Sequence, residues 1–234
     1  MKSIRYLILI SCFYCACGFP KKAGTNGLLT AGTIRFHNYA SISPEGERSL
    51  QVMADSWARA AGIPVEAFNG MAEDLLNHNT EFNIVFNPDT IWRLAKPHGV
   101  SLNRAIVNKK DGTVTSISND LIPRVISVNQ VPNLESGDFK VKQYKSERKN
   151  ILGYECHKVV IERKEKKPDN LSFDTGVSVT ELFVTDKIDL PLFTLFSLPQ
   201  GLPFFPLQIR NYLSNLPGVF DIYEAKGIKA SKQN

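Results

Sequence analysis

Two places in this 234-residue chain carry residue types that could do chemistry, and both involve cysteine. The first is Cys156-His157, inside the stretch ILGYECHKVVIER over residues 151–163. A cysteine nucleophile needs a histidine within hydrogen-bond reach. These two are neighbours in a stretch dense in β-branched and aromatic residues, which reads as a strand. Successive strand side chains point to opposite faces, so the pair is held apart. What remains is a small buried hydrophobe at Cys156 and an outward-facing His157. The second place is Cys12, Cys15 and Cys17, three of the four cysteines. A lone cysteine in the body leaves no intrachain disulfide framework there.

Other chemistry is sparse. The histidines His37, His78, His98 and His157 are scattered, whereas metal ligation needs clustered donors at recognisable spacing. There is no glycine-rich phosphate loop, GxSxG elbow or HExxH helix. No catalytic residue, metal or cofactor is expected, and the chain does not read as an enzyme. The formal charge is +5; without Lys2 and Arg5, 26 basic residues face 23 acidic ones, a net of +3. That is too small to point to nucleic acid. The run ERKEKK over residues 162–167 mixes signs and sits at a turn, as a solvated hairpin tip does.

The N-terminal cysteines belong to a leader. Lys2 and Arg5 form a positive region, Tyr6-Leu7-Ile8-Leu9-Ile10 begins an apolar one, and small residues follow, the order of a secretory signal over residues 1–17. The apolar run ends by Phe19, short of the ~20 residues a spanning helix needs. Leu9-Ile10-Ser11-Cys12 fits the Leu-x-small-Cys box of bacterial lipoproteins, whose cysteine is acylated. Tyr14-Cys15-Ala16-Cys17 fits the usual leader length better but puts Tyr14 at the Leu position. Cys12 and Cys17 are therefore the candidate lipid-attachment residues, with a plainly cleaved signal as the alternative. Acyl chains would hold the protein on a membrane surface without spanning it. The expected location is the periplasm or outer membrane.

Past the leader, residues 18–32 read as a tether, 33–229 as one β-rich domain and 230–234 as a polar tail. Alternation predicts strands over 33–42, 81–86, 91–95, 102–107, 113–118, 121–128, 138–144, 151–163, 178–185 and 219–229. Lys110-Asp111-Gly112 marks a hairpin. The period changes in between. Leu50, Met53, Ala54, Trp57 and Ala61 recur at helical steps, Gly62 suits a C-cap and Pro64 can open a second helix. Val65, Phe68, Ala72, Leu75 and Leu76 form its stripe. The fold class is thus mainly β (α+β). It is a single curved antiparallel sheet of nine or so strands, or a half-open β-barrel, with a two-helix insertion (47–77) covering its concave face.

Residues 190–209 are the most apolar part of the body, yet Pro191, Pro199, Pro203 and Pro206 exclude a membrane helix. The stretch reads as core, or as a flap over an apolar pocket. The candidate ligand-facing residues are Trp57, Phe68 and Leu75 from the helices, and Phe193, Phe196, Phe204 and Phe205 from this stretch.

The segment ERKNILGYECHK over 147–158 resembles the K-x-I-x-G-Y-x-C-x-K strand of a family of uncharacterised Gram-negative envelope proteins, close to the GLPGLI proteins. Leu182-Phe183-Val184-Thr185 stands where those proteins carry a Trp-x-Thr strand. Gly201-Leu202-Pro203 and Pro206-Leu207-Gln208-Ile209 stand where they carry a Pro- and Gly-rich apolar segment. The likeness runs over residues 147–229. It implies an exported protein, often a lipoprotein, similar in fold to the lipoprotein-localisation-factor superfamily, with a helical lid over a hydrophobic cavity. It implies no catalytic residue. The expected function is non-catalytic binding of an apolar ligand such as a lipid or a lipoprotein acyl chain. The alternative is a membrane-tethered scaffold or protein-interaction module with a fully packed core.

Overall fold

A computed structural model describes residues 27–62, 64, 79–95, 103–117, 123–130, 132–136, 138–164, 176–190 and 198–231. They form one helix and one sheet. In chain order the elements are β1 (Gly32–Ile42), α1 (Pro44–Ala61), β2 (Asn79–Phe86), β3 (Thr90–Ala95), β4 (Asn103–Asn108), β5 (Thr113–Ile117), β6 (Pro123–Ser127), β7 (Phe139–Ile151), β8 (Tyr154–Lys164), β9 (Val177–Thr185), β10 (Phe205–Leu213) and β11 (Val219–Ala230). The eleven strands lie in the order β6-β5-β4-β3-β2-β1-β11-β10-β9-β8-β7. Each half is a meander, and the first and last strands meet at the centre.

This order forces the sheet to curl. β6 and β7 are its two edges, yet residues 128–138 alone connect them. Laid flat, ten inter-strand gaps would span ~48 Å. The connection contains two short 3₁₀ turns, Val128–Gln130 and Leu134–Ser136. Its reach is therefore about 30 Å. The edges approach one another without pairing, and the sheet stays open.

Alternation decides what the curl encloses. Ile34 and Phe36 of β1, Phe82, Ile84 and Phe86 of β2, and Leu182 and Val184 of β9 are almost wholly buried in one continuous core with Phe205 and Ile209 of β10. The Phe36 and Phe82 rings stack at 5.5 Å, and Phe205 lies 6.3 Å from Phe36. Each such side chain contributes about 1.5–3 kcal/mol on burial. The alternate residues form a polar outer face, with Lys142 to Glu162 at 2.9 Å, Lys158 to Glu181 at 3.7 Å and Gln208 to Glu224 at 2.9 Å. Ile188, Leu190 and Leu198, from the connection between β9 and β10, belong to the same core. That described part of the apolar stretch is packing.

Several expectations need correction. The sheet has eleven strands where nine or so were expected. Residues 151–163 are not one strand: Leu152 (φ 52°) and Gly153 (φ 91°) form a tight turn between β7 and β8. Two left-handed residues in succession match the twist of a two-residue hairpin. The helix starts at Pro44, not Glu47. Ser43 caps it, its Oγ accepting from the Gly46 N–H at 3.1 Å, and Pro44 fills the first turn. Gly46 serves close approach: a Cβ there would strike the backbone of Gly218, whose carbonyl accepts from the Ser43 N–H at 2.8 Å. The second helix expected after Pro64 lies outside the described residues, so a two-helix cover over the concave face is not part of this description. No described helix is long and apolar enough to cross a membrane.

Candidate functional site

The sheet is creased. On β7, Tyr144 pairs with Lys158 and Arg148 with His157, which leaves Lys145, Ser146 and Glu147 as extra residues. On β10, Pro206 pairs with Val184 and Gln208 with Phe183, which leaves Leu207 extra. On β11, Ala225 pairs with Phe36 and Gly227 with Arg35, which leaves Lys226 extra. His157 and Lys158 pair in turn with Val184 and Phe183, and Gln208 pairs with Glu224. The three irregularities therefore fall on one line across the sheet. A bulge bends its strand and raises the local twist, so aligned bulges concentrate the bend.

At the crease two neighbours part. β10 pairs with β9 from Phe205 to Leu213 but with β11 only from Gln208 to Asn211. Pro206 suits the separation, since it has no N–H to offer a ladder. Beyond the crease a cleft of about 1340 Å³ opens between the β7–β8 hairpin, the Thr185–Lys187 turn, Phe204 and the last residues of β11. Its apolar surface includes Leu152 (46 % exposed), Phe204 and Ile228. Its charged surface includes Lys145, Arg148 and Lys187, with Glu155 paired to Arg148, and Asp186 lying 3.6 Å from Lys187.

Cys156 and His157 both border this cleft, but they do not form a dyad. Cys156 is 2 % exposed, with its Sγ 3.7 Å from the Tyr154 carbonyl. Burial pushes its thiol up to about 12, Lys149 opposes and Glu155 reinforces the rise. A group that stays protonated at neutral pH is a poor nucleophile. His157 is not outward-facing as expected. It is half-buried, its ring edge-on to Phe204 at 5.0 Å and 87°. Its Nε2 is buried with no hydrogen-bond partner among the described residues.

Of the aromatic and aliphatic candidates, Phe204 is half-buried on the cleft wall, and Phe205, its neighbour, is 0 % exposed within the core. Trp57 falls in α1, but its side chain lies outside the described part. Phe68, Leu75, Phe193, Phe196, Cys12 and Cys17 lie outside the described residues. Sequence reasoning missed Lys145, Arg148, Lys187 and Ile228. A signal existed: Pro206 and Gly227, one residue from each of two bulges, are types that mark strand irregularities.

On the other side of the crease the inner face turns polar. Thr180 Oγ1 bonds Asn211 Oδ1 at 2.9 Å, Asn211 Nδ2 donates to Asp221 at 3.3 Å and Asn38 Nδ2 donates to Asp221 at 2.6 Å. Above this ladder Tyr223 is pushed up to about 12, by burial first and then by Asp221, with Arg93 opposing. The Arg93 guanidinium lies 4.6 Å over the Phe82 ring, and burial lowers its pKa. Among the described residues no three His, Cys, Asp or Glu side chains are placed to hold a metal ion.

Fold and site together define a mainly β protein built on one large, curved, open antiparallel sheet with a lateral cleft. No family model matches the chain, and no curated protein matches it. Among solved structures, the lipoprotein LppX of Mycobacterium tuberculosis aligns over 88 % of this chain and 89 % of its own, at 9 % identity and a TM-score of 0.34. A LolA superfamily protein from Nitrosomonas europaea aligns over 91 % of this chain and 92 % of its own, at 8 % identity and a TM-score of 0.35.

Proposed function

We propose that the chain is an exported envelope protein that binds an amphiphile, such as a lipid or the acyl chain of a lipoprotein, in the cleft beyond the crease. One observation carries this reading: an apolar wall and cationic side chains share one open cleft. Leu152, Phe204 and Ile228 would receive the apolar part, and Lys145, Arg148 and Lys187 an acidic head. Each buried methylene contributes ~0.8 kcal/mol, so a partly sheltered chain could be held. The inner face is filled by Phe36, Phe82 and Phe205, which favours the cleft over the concave face as the binding place. With its thiol buried, Cys156 offers the cleft no nucleophile, which fits binding rather than conversion. Residues 1–17 would export the chain, and Cys12 or Cys17 would carry a lipid anchor.

Native mass spectrometry of protein released gently from membranes tests the reading. The expected spectrum contains an adduct of lipid mass that the Phe204→Asp variant lacks. A ligand-free protein that also takes up no fluorescent fatty acid from vesicles would sink it. Fatty-acid labelling of Cys12→Ser and Cys17→Ser in cells decides the anchor: the variant that loses label names the cysteine. The filled inner face favours a second reading, a tethered interaction module; it gains if both lipid measurements are negative.

A further inference from the structure

β11 has two edges and uses them unequally. On one side β1 pairs with it from Val219 to Ala230. On the other, β10 pairs only from Asp221 to Glu224. Among the described residues no strand takes this second side beyond Glu224. The cleft itself is bordered by Gly227, Ile228 and Ala230, so the edge faces open space. A strand edge presents backbone N–H and C=O groups at a fixed repeat, which is a template for another strand.

The outer edges of the same sheet are defended against such pairing. β6 has five residues and begins with Pro123. β7 is rich in lysine and arginine and carries the three-residue bulge. Short edges, proline, lysine and bulges all discourage strand addition. The open edge of β11 lacks proline and contains Gly227, which removes side-chain bulk where a backbone would approach. It does carry the one-residue bulge at Lys226, ahead of the regular run 227–230, and the exposed Lys226 and Lys229, of which Lys226 lies 2.5 Å from Glu224. Those charges oppose a second copy of this chain, whose β11 would bring the same lysines. They favour an acidic strand.

We propose that residues 225–230 of β11 are a strand-addition site for an extended acidic segment of a partner protein. Six residues span about 20 Å as a strand. Carboxylates on one side of the incoming strand would meet Lys229 from β11 and Lys145 from the opposite wall, while Lys226 and Lys187 stay beside Glu224 and Asp186. Its alternate side chains would lie toward Ile228 and Phe204. This goes beyond lipid binding: it shares Phe204, Ile228 and Lys145 with the lipid site but adds the edge of β11, and recognition runs through the main chain.

The probe is a fluorescein-labelled, capped hexapeptide, Glu-Val-Glu-Val-Glu-Val, titrated with the full chain and followed by anisotropy. Saturable binding is expected, weakened about tenfold or more when alternate peptide amides are N-methylated, because two or three hydrogen bonds go. Replacing the three glutamates by lysine should abolish it, and Lys229→Glu should weaken it severalfold. Hydrogen exchange should show new protection confined to residues 225–230. No saturable binding, indifference to N-methylation, or protection at β6 or β7 instead would overturn the proposal. Fatty-acid uptake measured on the same sample separates the two readings. Peptide binding without uptake leaves this site standing alone; uptake without peptide binding removes this site and leaves the lipid reading intact.

Discussion

The two sides of the crease are made from the same kind of sequence and behave as different materials. On the near side β8, β9, β10, β11 and β1 form unbroken ladders, and side chains continue the pairing from Thr180 through Asn211 and Asp221 to Asn38. On the far side β9–β10 and β11–β1 stay paired, but β10 and β11 separate and a cleft fills the wedge. The difference comes from one extra residue in each of two adjacent strands, Leu207 and Lys226. Function can thus be concentrated where a ladder is interrupted, while the core that supports it runs across the interruption, from Leu182 and Ile209 on one side to Ile34 and Phe205 on the other. Substitutions on either side of the crease would break that division of labour or sharpen it.

Phe36 sits at the crease, stacked on Phe82 and near Phe205. Phe36→Ala should cost about 3–5 kcal/mol, the usual range for a large aromatic removed from a packed core. Urea unfolding measures it. A loss below 1 kcal/mol would mean that the crease is not where the two halves share their core.

The next comparison sets one carboxylate on each side. Asp221→Ala takes the side-chain acceptor from the amides of Asn211 and Asn38, the latter keeping only the Ile222 carbonyl at 3.2 Å, and should cost about 1–3 kcal/mol. Glu155→Ala, on the far side, removes an ion pair to Arg148 whose partners are 65 % and 64 % exposed. That should cost about 0–1 kcal/mol. Equal losses would erase the distinction between a load shared by the ladder and a solvated pair.

Alkaline pH acts on both sides at once. Cys156 beyond the crease and Tyr223 before it each have a folded pKa raised to about 12. A raised acid group binds its proton more tightly folded than unfolded. Its stabilisation is therefore complete below the unfolded value and is lost as pH rises toward 12. From about pH 9 for Cys156 and about pH 10 for Tyr223, stability should fall by up to about 1.4 kcal/mol per pH unit for each group. In urea melts between pH 8 and 10.5, Cys156→Val should flatten the slope. An unchanged slope would show a thiol that titrates freely.

How much of this could be read from the sequence follows from the range of the interactions. Alternation at Phe82, Ile84 and Phe86, and the turn at Lys110-Asp111-Gly112, are local and were legible. The stop at Leu152 was not, because leucine rarely takes a positive φ and Gly153 beside it stands inside a run of strand-forming residues. Gly46 reads as a turn residue, yet its role is contact with Gly218, far away in sequence. The cleft was hidden for the same reason. Lys145, Arg148, Lys187 and Ile228 are brought together only by strand pairing. A bulge, too, is a property of two strands: Leu207 is extra only relative to Val184 and Phe183. Pro206 and Gly227 were the available hints, each with a local explanation that masked the larger one.

Phe204 and Phe205 give the finest test, because one bond in the chain separates the two materials. Phe205 is fully buried, and Phe205→Ala should resemble Phe36→Ala in its cost. Phe204 is half-buried on the cleft wall against His157. Phe204→Ala gives up only part of a phenylalanine's burial, about 1 kcal/mol or less. The same substitution removes a central apolar surface from the proposed ligand site, so fatty-acid uptake should fall far more than stability does. The pair is measured by urea unfolding and vesicle uptake on one set of samples. If Phe204→Ala unfolds the protein as readily as Phe205→Ala, the cleft wall is core and the crease divides nothing. If uptake and stability fall in proportion, the ligand reading loses its wall. The expected result is a crossing: the inner residue controls folding, and the next residue along the chain controls what the cleft can hold.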